Sequence, residues 1–215
     1  DCIARELARE KTLAGVRVTV TAGPTQEALD PVRYLTNHSS GRMGYAIARE
    51  AALRGAEVTL ISGPTALQPP MGVQFRPVVS AQDMLEAVQD TLPETDILIK
   101  AAAVADYRPA TVSEHKMKKS DGELSIPLSR TEDILHWVSE HRHPGLFVCG
   151  FSMETRDLIE NSRAKLEKKH LDMIAANSLN TEGAGFGVPT NVVTLLTPDG
   201  AEQLPLLGKD EVAAR

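Results

Sequence analysis

The sequence has few cysteines and no long apolar run. Its 215 residues contain two cysteines, Cys2 and Cys149, which lie far apart. Two separate structural thiols are therefore favoured over a disulfide, which suits a reducing, cytoplasmic compartment. No run of 18 apolar residues occurs, so no membrane span is expected, and the charged start DCIARELAREKT does not resemble a signal peptide.

The chain also lacks an excess of positive charge. Lysine and arginine number 23 against 29 acidic residues, a formal net charge of −6. This balance argues against non-specific binding to nucleic acid. A small anionic ligand would need a local positive site built from backbone N–H groups and a few lysines.

Several familiar catalytic patterns are missing as well. The sequence contains neither GxGxxG nor GxxxxGK[ST], which weakens the case for generic dinucleotide or P-loop binding. It has no GxSxG, and its six histidines show no HxxxH spacing. Neither a zinc site nor a covalent nucleophile is therefore expected.

The chain does show alternating strand and helix patterns. Short apolar and β-branched runs predict strands, and apolar residues at helical spacing predict helices. The predicted strands are 16–21, 57–61, 74–79, 96–103, 146–150 and 171–176, and the predicted helices are 41–54, 81–92, 132–140 and 156–169. This alternation predicts an α/β fold with a doubly wound, Rossmann-like, mostly parallel sheet, whose ligands bind beyond the carboxyl ends of the strands.

Three segments depart from this alternation. Residues 1–14 are interpreted as the remnant of a linker, so that 15–215 form one excised domain. Residues 107–127 are polar and rich in lysine, which is typical of a flexible flap over a site or of a disordered insert. Two apolar runs, 191–197 and 202–207, flank Pro198-Asp199-Gly200 and predict a C-terminal β-hairpin.

Two candidate ligand-binding stretches follow predicted strands. Ser39, Ser40 and Gly41 are small residues at a helix start, where backbone N–H groups can hold phosphate. Alternatively, one of the serines is simply the N-cap. Alanines at 101–103 and 105 leave room for a flat base or ribose. The neighbouring Asp106 can bind a hydroxyl, an amine or a metal. Alternatively, Asp106 simply begins a turn.

Two lysine groups are candidates for binding the same anion. Lys116, Lys118 and Lys119 lie in the irregular segment and can close over a polyphosphate, although solvated charge is the usual explanation for such a run. Lys165 and Lys169 are four residues apart on one helix face, where they can hold one anion together or simply face solvent.

Five stretches together resemble a known family. They are TAGPTQEALDPVRYLTNHSSGRMG (21–44), AAAVADYRP (101–109), KMKK (116–119), GFSMET (150–155) and KLEKKHLDMIAAN (165–177). They are similar to bacterial phosphopantothenate–cysteine ligase, the C-terminal half of the bifunctional coenzyme A biosynthesis flavoprotein. The resemblance extends from about residue 15 to the end of the chain.

The resemblance implies a CTP-dependent ligase of coenzyme A biosynthesis. The carboxylate of 4′-phosphopantothenate would attack the α-phosphate of CTP, giving an acyl-cytidylate and pyrophosphate. The amine of L-cysteine would then displace CMP to form the amide. Mg²⁺ would accompany the triphosphate, and no protein nucleophile would be needed.

The resemblance also implies roles for individual residues. Asn37 would act in amide formation, Arg33 would meet substrate or intermediate, and Lys116 would support cytidylate formation. The positions that would contact CTP are Ala101, Ala102, Asp106, Lys116, Asp133, Ile134, Leu135, Phe151, Lys165 and Lys169. Asp106 and Asp133 are also the candidate Mg²⁺ ligands. One departure is Glu132, which stands where the family commonly has proline.

The family resemblance further implies a homodimer and an N-terminal flavin-dependent decarboxylase domain in the full-length chain. Two other functions stay open at this point. One is a nucleotide-binding domain without turnover, against which Asn37 and Lys116 count. The other is a nicotinamide-dependent reductase, which would need an acidic residue after the second strand, where this chain has Ser62-Gly63-Pro64.

Overall fold

A computed structural model describes residues 10–119, 122–154, 157–178 and 187–215. Fourteen strands and five α-helices alternate along this part of the chain. The strands are β1 (Arg17–Ala22), β2 (Gln26–Ala28), β3 (Tyr34–Thr36), β4 (Glu57–Ser62), β5 (Val73–Pro77), β6 (Ile97–Lys100), β7 (Tyr107–Pro109), β8 (Leu128–Arg130), β9 (Phe147–Glu154), β10 (Met173–Ser178), β11 (Thr190–Asn191), β12 (Val193–Thr197), β13 (Gly200–Gln203) and β14 (Leu207–Gly208). The helices are α1 (Arg42–Leu53), α2 (Ala81–Thr91), α3 (Ile134–His141), α4 (Leu158–Lys168) and α5 (Lys209–Ala213).

Eight of these strands form one sheet in the order β13-β12-β10-β9-β6-β1-β4-β5. The six from β10 to β5 are parallel, and the β12–β13 hairpin adds two antiparallel strands at one edge. The predicted doubly wound, mostly parallel sheet and its C-terminal hairpin are therefore confirmed. The chain runs outward from β1 to β5 and then returns to β6 on the other side of β1. Such a reversal of strand order opens a crevice at the carboxyl ends of the two central strands.

Helices cover both faces of the sheet because side chains along a buried strand alternate between its two faces. On one face Val20 and Leu60 pack against Ala48 of α1. On the other face Leu98 packs in a cluster that includes residues of α2, α3 and α4. Helix α1 lies very close to β1, since a Cβ on Gly44 would be 2.6 Å from the Ala22 Cβ. Any larger residue at position 44 would push the start of α1 away from the strand.

Most predicted elements are confirmed with shifts of one or two residues, and α2 begins at the predicted cap. Ser80 is its N-cap, in a capping box with Asp83. Four predictions were wrong, one of them in the hairpin, where β13 spans Gly200–Gln203 instead of ending at residue 207. Strand β6 ends at Lys100 rather than at residue 103, and β9 continues to Glu154 because β10 pairs with it as far as Ser178. Residues 107–109, predicted to be irregular, form β7 and pair with β8.

Among the described residues, no helix combines the length and the apolar character needed to cross a bilayer. Residues 1–9 of the expected linker remnant, Cys2 included, lie outside the described residues. Cys149 lies in β9 and is a buried free thiol. Burial raises the pKa of this thiol to about 12, so it remains protonated and unreactive at neutral pH.

Candidate functional site

The carboxyl edge of the sheet carries a cavity of about 460 Å³, here called the cationic cavity. It is lined by residues from the end of β6, the turn before α3, and one face of α4. Four of its lining side chains are basic and three are acidic. The twelve lining residues are Lys100, Val104, Asp106, Tyr107, Arg130, Thr131, Glu132, Asp133, Ile134, Leu135, Lys165 and Lys169. Six of the residues predicted to contact a nucleotide are thus together in one place: Asp106, Asp133, Ile134, Leu135, Lys165 and Lys169.

Asp133 and the two lysines of α4 order one wall of the cationic cavity. The Asp133 Oδ1 accepts the His136 N–H at 3.0 Å and so caps α3, while its Oδ2 accepts from Lys169 Nζ at 2.7 Å. Partial burial favours the neutral acid, but the hydrogen bonds from Lys169 and His136 outweigh it and lower the pKa of Asp133. Lys165 Nζ donates to the Phe151 carbonyl at 3.1 Å. The i, i+4 pair is therefore aligned on one cavity rather than facing solvent.

A second, smaller cavity of about 130 Å³ is here called the cradle cavity. It lies between the start of α1 and the ends of β6, β9 and β10. Its lining is Ser39, Ser40, Gly41, Arg42, Met43, Gly44, Ala101, Ala102, Ala103, Phe151, Ser152, Met153, Asn177, Asn191 and Lys209. The predicted phosphate cradle, Ala101, Ala102 and Phe151 are thus also together. Phe151 connects the two cavities, because its carbonyl accepts from Lys165.

The start of α1 differs from an ordinary capped helix. Gly41 is the N-cap, in the left-handed region with φ 75°, and no side chain of the described residues caps the helix. The alternative that Ser39 or Ser40 is the N-cap was therefore wrong. Ser39 Oγ instead accepts the Gly41 N–H at 3.3 Å. A Cβ at position 41 would also meet Thr65 Cγ2 at 2.8 Å, so both conformation and space require glycine there.

Asn37 lies beside the cradle cavity rather than in its lining. Its Nδ2 donates to the Ala103 carbonyl at 3.0 Å, and Ala103 is part of the cavity wall. This bond fixes the amide of an otherwise exposed side chain against the end of the central strand. A substrate carbonyl in the cradle cavity would therefore have an oriented polar group next to it.

Arg33 and Asp30 hold the segment that carries the flap lysines. The buried Asp30 carboxylate accepts from Arg33 Nε at 3.0 Å and from the Met117 N–H at 3.0 Å. Arg33 Nη2 donates to the Met117 carbonyl at 2.8 Å. Asp30 and Arg33, here called the Asp30–Arg33 clamp, thus bind both the N–H and the carbonyl of Met117. Ser113 adds a further bond, from its N–H to the Leu29 carbonyl at 3.0 Å.

Arg33 and Lys116 line neither cavity. Lys116, Lys118 and Lys119 are exposed, and Lys116 precedes the clamped Met117. The clamp therefore fixes the backbone beside Lys116 while its long side chain stays solvated. Residues 120 and 121 of the predicted flap lie outside the described residues.

The expected Mg²⁺ would need carboxylate ligands near the nucleotide. Within the described ranges no three His, Cys, Asp or Glu side chains gather as a metal cluster. The cationic cavity does offer the carboxylates of Asp106 and Asp133. Mg²⁺ commonly binds through one or two carboxylates together with substrate phosphates rather than in an all-protein cage. The residues therefore fit a metal ion that arrives with a triphosphate.

Two residues of this region were not predicted from the sequence. Lys100 lines the cationic cavity, but it ends an otherwise apolar strand and was read only as part of DILIKAAA. A single charge at the end of such an apolar run is a usable signal, because lysine is uncommon in the strands of a mostly parallel sheet. Asp30 was read only as part of a motif, and its burial depends on the clamp, which no local pattern reveals.

Comparison with known proteins gives a consistent result. Residues 13–215 match the family described as the DNA/pantothenate metabolism flavoprotein C-terminal domain. The coenzyme A biosynthesis bifunctional protein CoaBC of Bacillus subtilis (strain 168) is 50% identical over 203 residues, covering 94% of this chain and 50% of that protein. The same-named protein of Escherichia coli (strain K12) is 43% identical over 201 residues, covering 92% of this chain and 50% of that protein.

A solved structure agrees with these relatives. The crystal structure of the C-terminal domain of a CoaBC protein is 46% identical and superposes with a TM-score of 0.80, covering 95% of this chain and 93% of that one. The chain spans about half the length of the curated relatives that it matches.

Proposed function

Because the chain belongs to the DNA/pantothenate metabolism flavoprotein C-terminal domain family, we propose that it is a phosphopantothenate–cysteine ligase domain that uses CTP. In this proposal it joins 4′-phosphopantothenate to L-cysteine through an acyl-cytidylate. The relatives that carry the CoaBC name support the assignment to coenzyme A biosynthesis. The choice of CTP, the intermediate and the residue roles rest on the family resemblance of the motifs and on the site geometry.

The observation that carries the proposal is the pairing of two different cavities at one sheet edge. The cationic cavity suits a polyphosphate, because four basic side chains line it. The cradle cavity suits a single phosphate or acyl group, because it holds only about 130 Å³ and its lining combines small side chains with the basic Arg42 and Lys209. A nucleotide that extends across both would place its α-phosphorus near their junction, beside the start of α1.

The first step would form the acyl-cytidylate. A carboxylate oxygen of phosphopantothenate attacks the α-phosphorus of CTP, and the bond from that phosphorus to the bridging oxygen of pyrophosphate breaks. Negative charge builds on the leaving pyrophosphate. Lys165 and Lys169 line the cationic cavity and would neutralise it, and in this proposal Lys116 adds its charge from the clamped segment.

The second step would form the amide. The amine of cysteine attacks the acyl carbon, the bond from that carbon to the CMP oxygen breaks, and the amine loses a proton to solvent. Asn37 is held by the Ala103 carbonyl beside the cradle cavity, where its amide can orient the acyl carbonyl. No protein nucleophile takes part in either step.

Mg²⁺ would be held by Asp106 and Asp133 together with the phosphates, and it would supply charge neutralisation at the triphosphate. Asp133 would combine metal binding with two roles that the structure shows: its Oδ1 caps α3, and its Oδ2 accepts from Lys169.

The proposed assembly is a homodimer whose full-length chain also has an N-terminal flavin-dependent decarboxylase domain. The support for the second domain is that the curated CoaBC relatives are about twice as long as the matched region. The support for the dimer is the family resemblance, together with the exposed apolar side chains of Val32 and Tyr34, at 59% and 51% exposure.

Pyrophosphate release tests the proposal. With phosphopantothenate and CTP–Mg²⁺ but no cysteine, we expect about one equivalent of pyrophosphate per site, and continuous release once cysteine is added. ATP, NAD and NADP serve as comparison ligands in a thermal-shift measurement. Binding of CTP without pyrophosphate release would instead support the non-catalytic domain, and stabilisation by NAD or NADP alone would support a reductase.

A further inference from the structure

Lys100 occupies a distinctive position in the cationic cavity. It is the last residue of β6, the strand beside β1 where the strand order reverses. Its side chain shares a face of the sheet with Leu98 and lines the cavity together with Lys165 and Lys169. It therefore presents an ammonium group from the floor of the cavity, whereas the other two lysines belong to its α4 wall.

The charge of Lys100 is not neutralised by a direct contact. Neither a hydrogen bond nor an ion pair joins its ammonium to another residue in the described part of the chain. Both oxygens of Asp133, a carboxylate of the same cavity, already accept hydrogen bonds from His136 and Lys169. Lys100 is in this respect unlike Lys165 and Lys169, which donate to Phe151 and Asp133.

The surroundings of Lys100 make its charge costly. Burial, with a smaller contribution from the Lys165 ammonium, lowers the pKa of Lys100 to about 8, and Asp133 and Asp106 offset this only in part. Lys100 is half-buried, and a half-buried charge without a partner is unfavourable unless an anion completes the site. Methionine or leucine would fill the same strand position without that cost, so the lysine is best explained by a ligand.

We propose that Lys100 is a further nucleotide-contacting residue, whose ammonium binds the phosphates that leave as pyrophosphate. This inference rests on the proposed CTP-dependent function and adds a residue to it. The β- and γ-phosphates are favoured over the base because a polyanion satisfies several ammonium groups at once. A neutral cytosine ring offers each of them at most a single weak acceptor.

Equilibrium binding of three probes tests the proposal. The probes are CTP–Mg²⁺, inorganic pyrophosphate–Mg²⁺ and CMP, measured by calorimetry on the wild-type chain, Lys100→Met, Lys100→Arg and Lys168→Met. Lys100→Met keeps the length and apolar stem of the side chain, and Lys100→Arg keeps the charge. Lys168→Met is the matched control, because it removes an exposed α4 lysine that lines neither cavity.

For Lys100→Met we expect CTP and pyrophosphate to bind at least about ten-fold more weakly, which corresponds to about 1.4 kcal/mol, while CMP affinity is unchanged. Lys100→Arg should recover most of the loss, and Lys168→Met should match the wild type. Two results would overturn the role of Lys100 and leave the ligase proposal standing. One is a Lys100→Met protein that binds pyrophosphate as tightly as the wild type does. The other is a Lys100→Met protein in which CMP binding is weakened as much as CTP binding. A wild-type chain that binds neither CTP nor pyrophosphate would overturn both.

If Lys100→Met fails to fold, the arginine variant carries the test. Its melting temperature reports folding, and its affinity for pyrophosphate should stay within about three-fold of the wild type, because a guanidinium also pairs with phosphate. A well-folded Lys100→Arg that no longer binds pyrophosphate, although it still binds CMP as the wild type does, would contradict a charge-based contact.

Discussion

Asn37 is held by one hydrogen bond, from its Nδ2 to the Ala103 carbonyl. Replacement by aspartate removes the donor and sets a carboxylate against a carbonyl oxygen. We predict that Asn37→Asp still releases about one equivalent of pyrophosphate but forms the amide at least about 100-fold more slowly, the usual cost of losing an oriented donor at a reacting carbonyl. Quenched-flow measurement of pyrophosphate and amide product in parallel checks this.

The control for this change is Gln203→Glu, the same amide-to-acid replacement on an exposed strand outside both cavities. It should leave both steps at wild-type rates. Equal slowing of both steps in Asn37→Asp would assign Asn37 to substrate binding rather than to amide formation.

Lys116 is expected to act in the first step, pyrophosphate release, rather than in amide formation. Its backbone neighbour is clamped while its side chain is exposed, so loss of its charge should not disturb the fold. We predict that Lys116→Gln slows pyrophosphate release at least about ten-fold, because a charge-assisted contact is worth about 1.5–3 kcal/mol. Conversion of a supplied acyl-cytidylate should be unaffected.

Lys119→Gln, on the same exposed segment, is the matched control for Lys116→Gln. Pyrophosphate release at the wild-type rate in both variants would reduce Lys116 to surface charge. An unfolding midpoint that shifts in Lys116→Gln alone would point to a structural role instead.

At the scale of elements, the central feature is the Asp30–Arg33 clamp on the flap segment. Arg33 remains a predicted substrate contact, and in the structure its guanidinium binds Asp30 and the Met117 carbonyl. We predict that Asp30→Asn speeds hydrogen exchange at the Met117 amide and slows pyrophosphate release, because Lys116 loses its fixed backbone. Asp90→Asn, which breaks the exposed pair with Arg76, should change neither. Unchanged exchange at Met117 would show that the clamp does not hold the segment.

The clamp also predicts a pH dependence of stability. The Arg33 hydrogen bonds, aided by backbone N–H groups and opposed by burial, hold the pKa of Asp30 well below its usual range. The stability contributed by this carboxylate is therefore complete above its unfolded pKa of about 3.9 and is lost as the pH falls towards the folded pKa. Urea unfolding should show Asp30→Asn less stable than wild type at pH 7, with the difference shrinking below pH 4. A constant difference from pH 7 to pH 3 would contradict this assignment.

Element boundaries show what a single sequence can predict. The start of α2 was predictable because Ser80 and Asp83 form a local capping box. The end of β6 was not, since residues 101–103 are as apolar as a strand and still bond to the backbone of residues 21–23, although the regular strand ends at Lys100. The pairing of β7 with β8 joins segments nearly 20 residues apart, so its partner could not be read from the polar sequence between them.

At the scale of the whole molecule, the sheet order explains why distant motifs meet. Residues 39–41, 101–106, 133–135, 151 and 165–169 all follow or face the carboxyl ends of neighbouring parallel strands. The sequence could predict this convergence from the alternation of strands and helices. It could not predict that the residues divide between two cavities, because the division depends on which other elements each stretch meets: residues 101–103 meet the start of α1, whereas Lys100 and Val104 meet the residues before α3 and those of α4.

Assembly belongs to the same scale. We predict that the chain is a dimer in solution, and that Val32→Glu weakens it, because a new charge on an exposed apolar side chain opposes burial in an interface. Sedimentation equilibrium should give twice the mass of a single chain for the wild type and concentration-dependent dissociation for the variant. Val112→Glu, at a similarly exposed side chain, is the comparison. A monomeric wild type would refute the dimer.

The central claim is that a carboxylate oxygen attacks the α-phosphorus of CTP at the junction of the two cavities. Phosphopantothenate labelled with ¹⁸O in its carboxylate tests this in a single turnover with CTP and cysteine, followed by mass spectrometry of the products. The account predicts one ¹⁸O atom in CMP and none in pyrophosphate. Label recovered in inorganic phosphate, or CMP without label, would contradict an acyl-cytidylate.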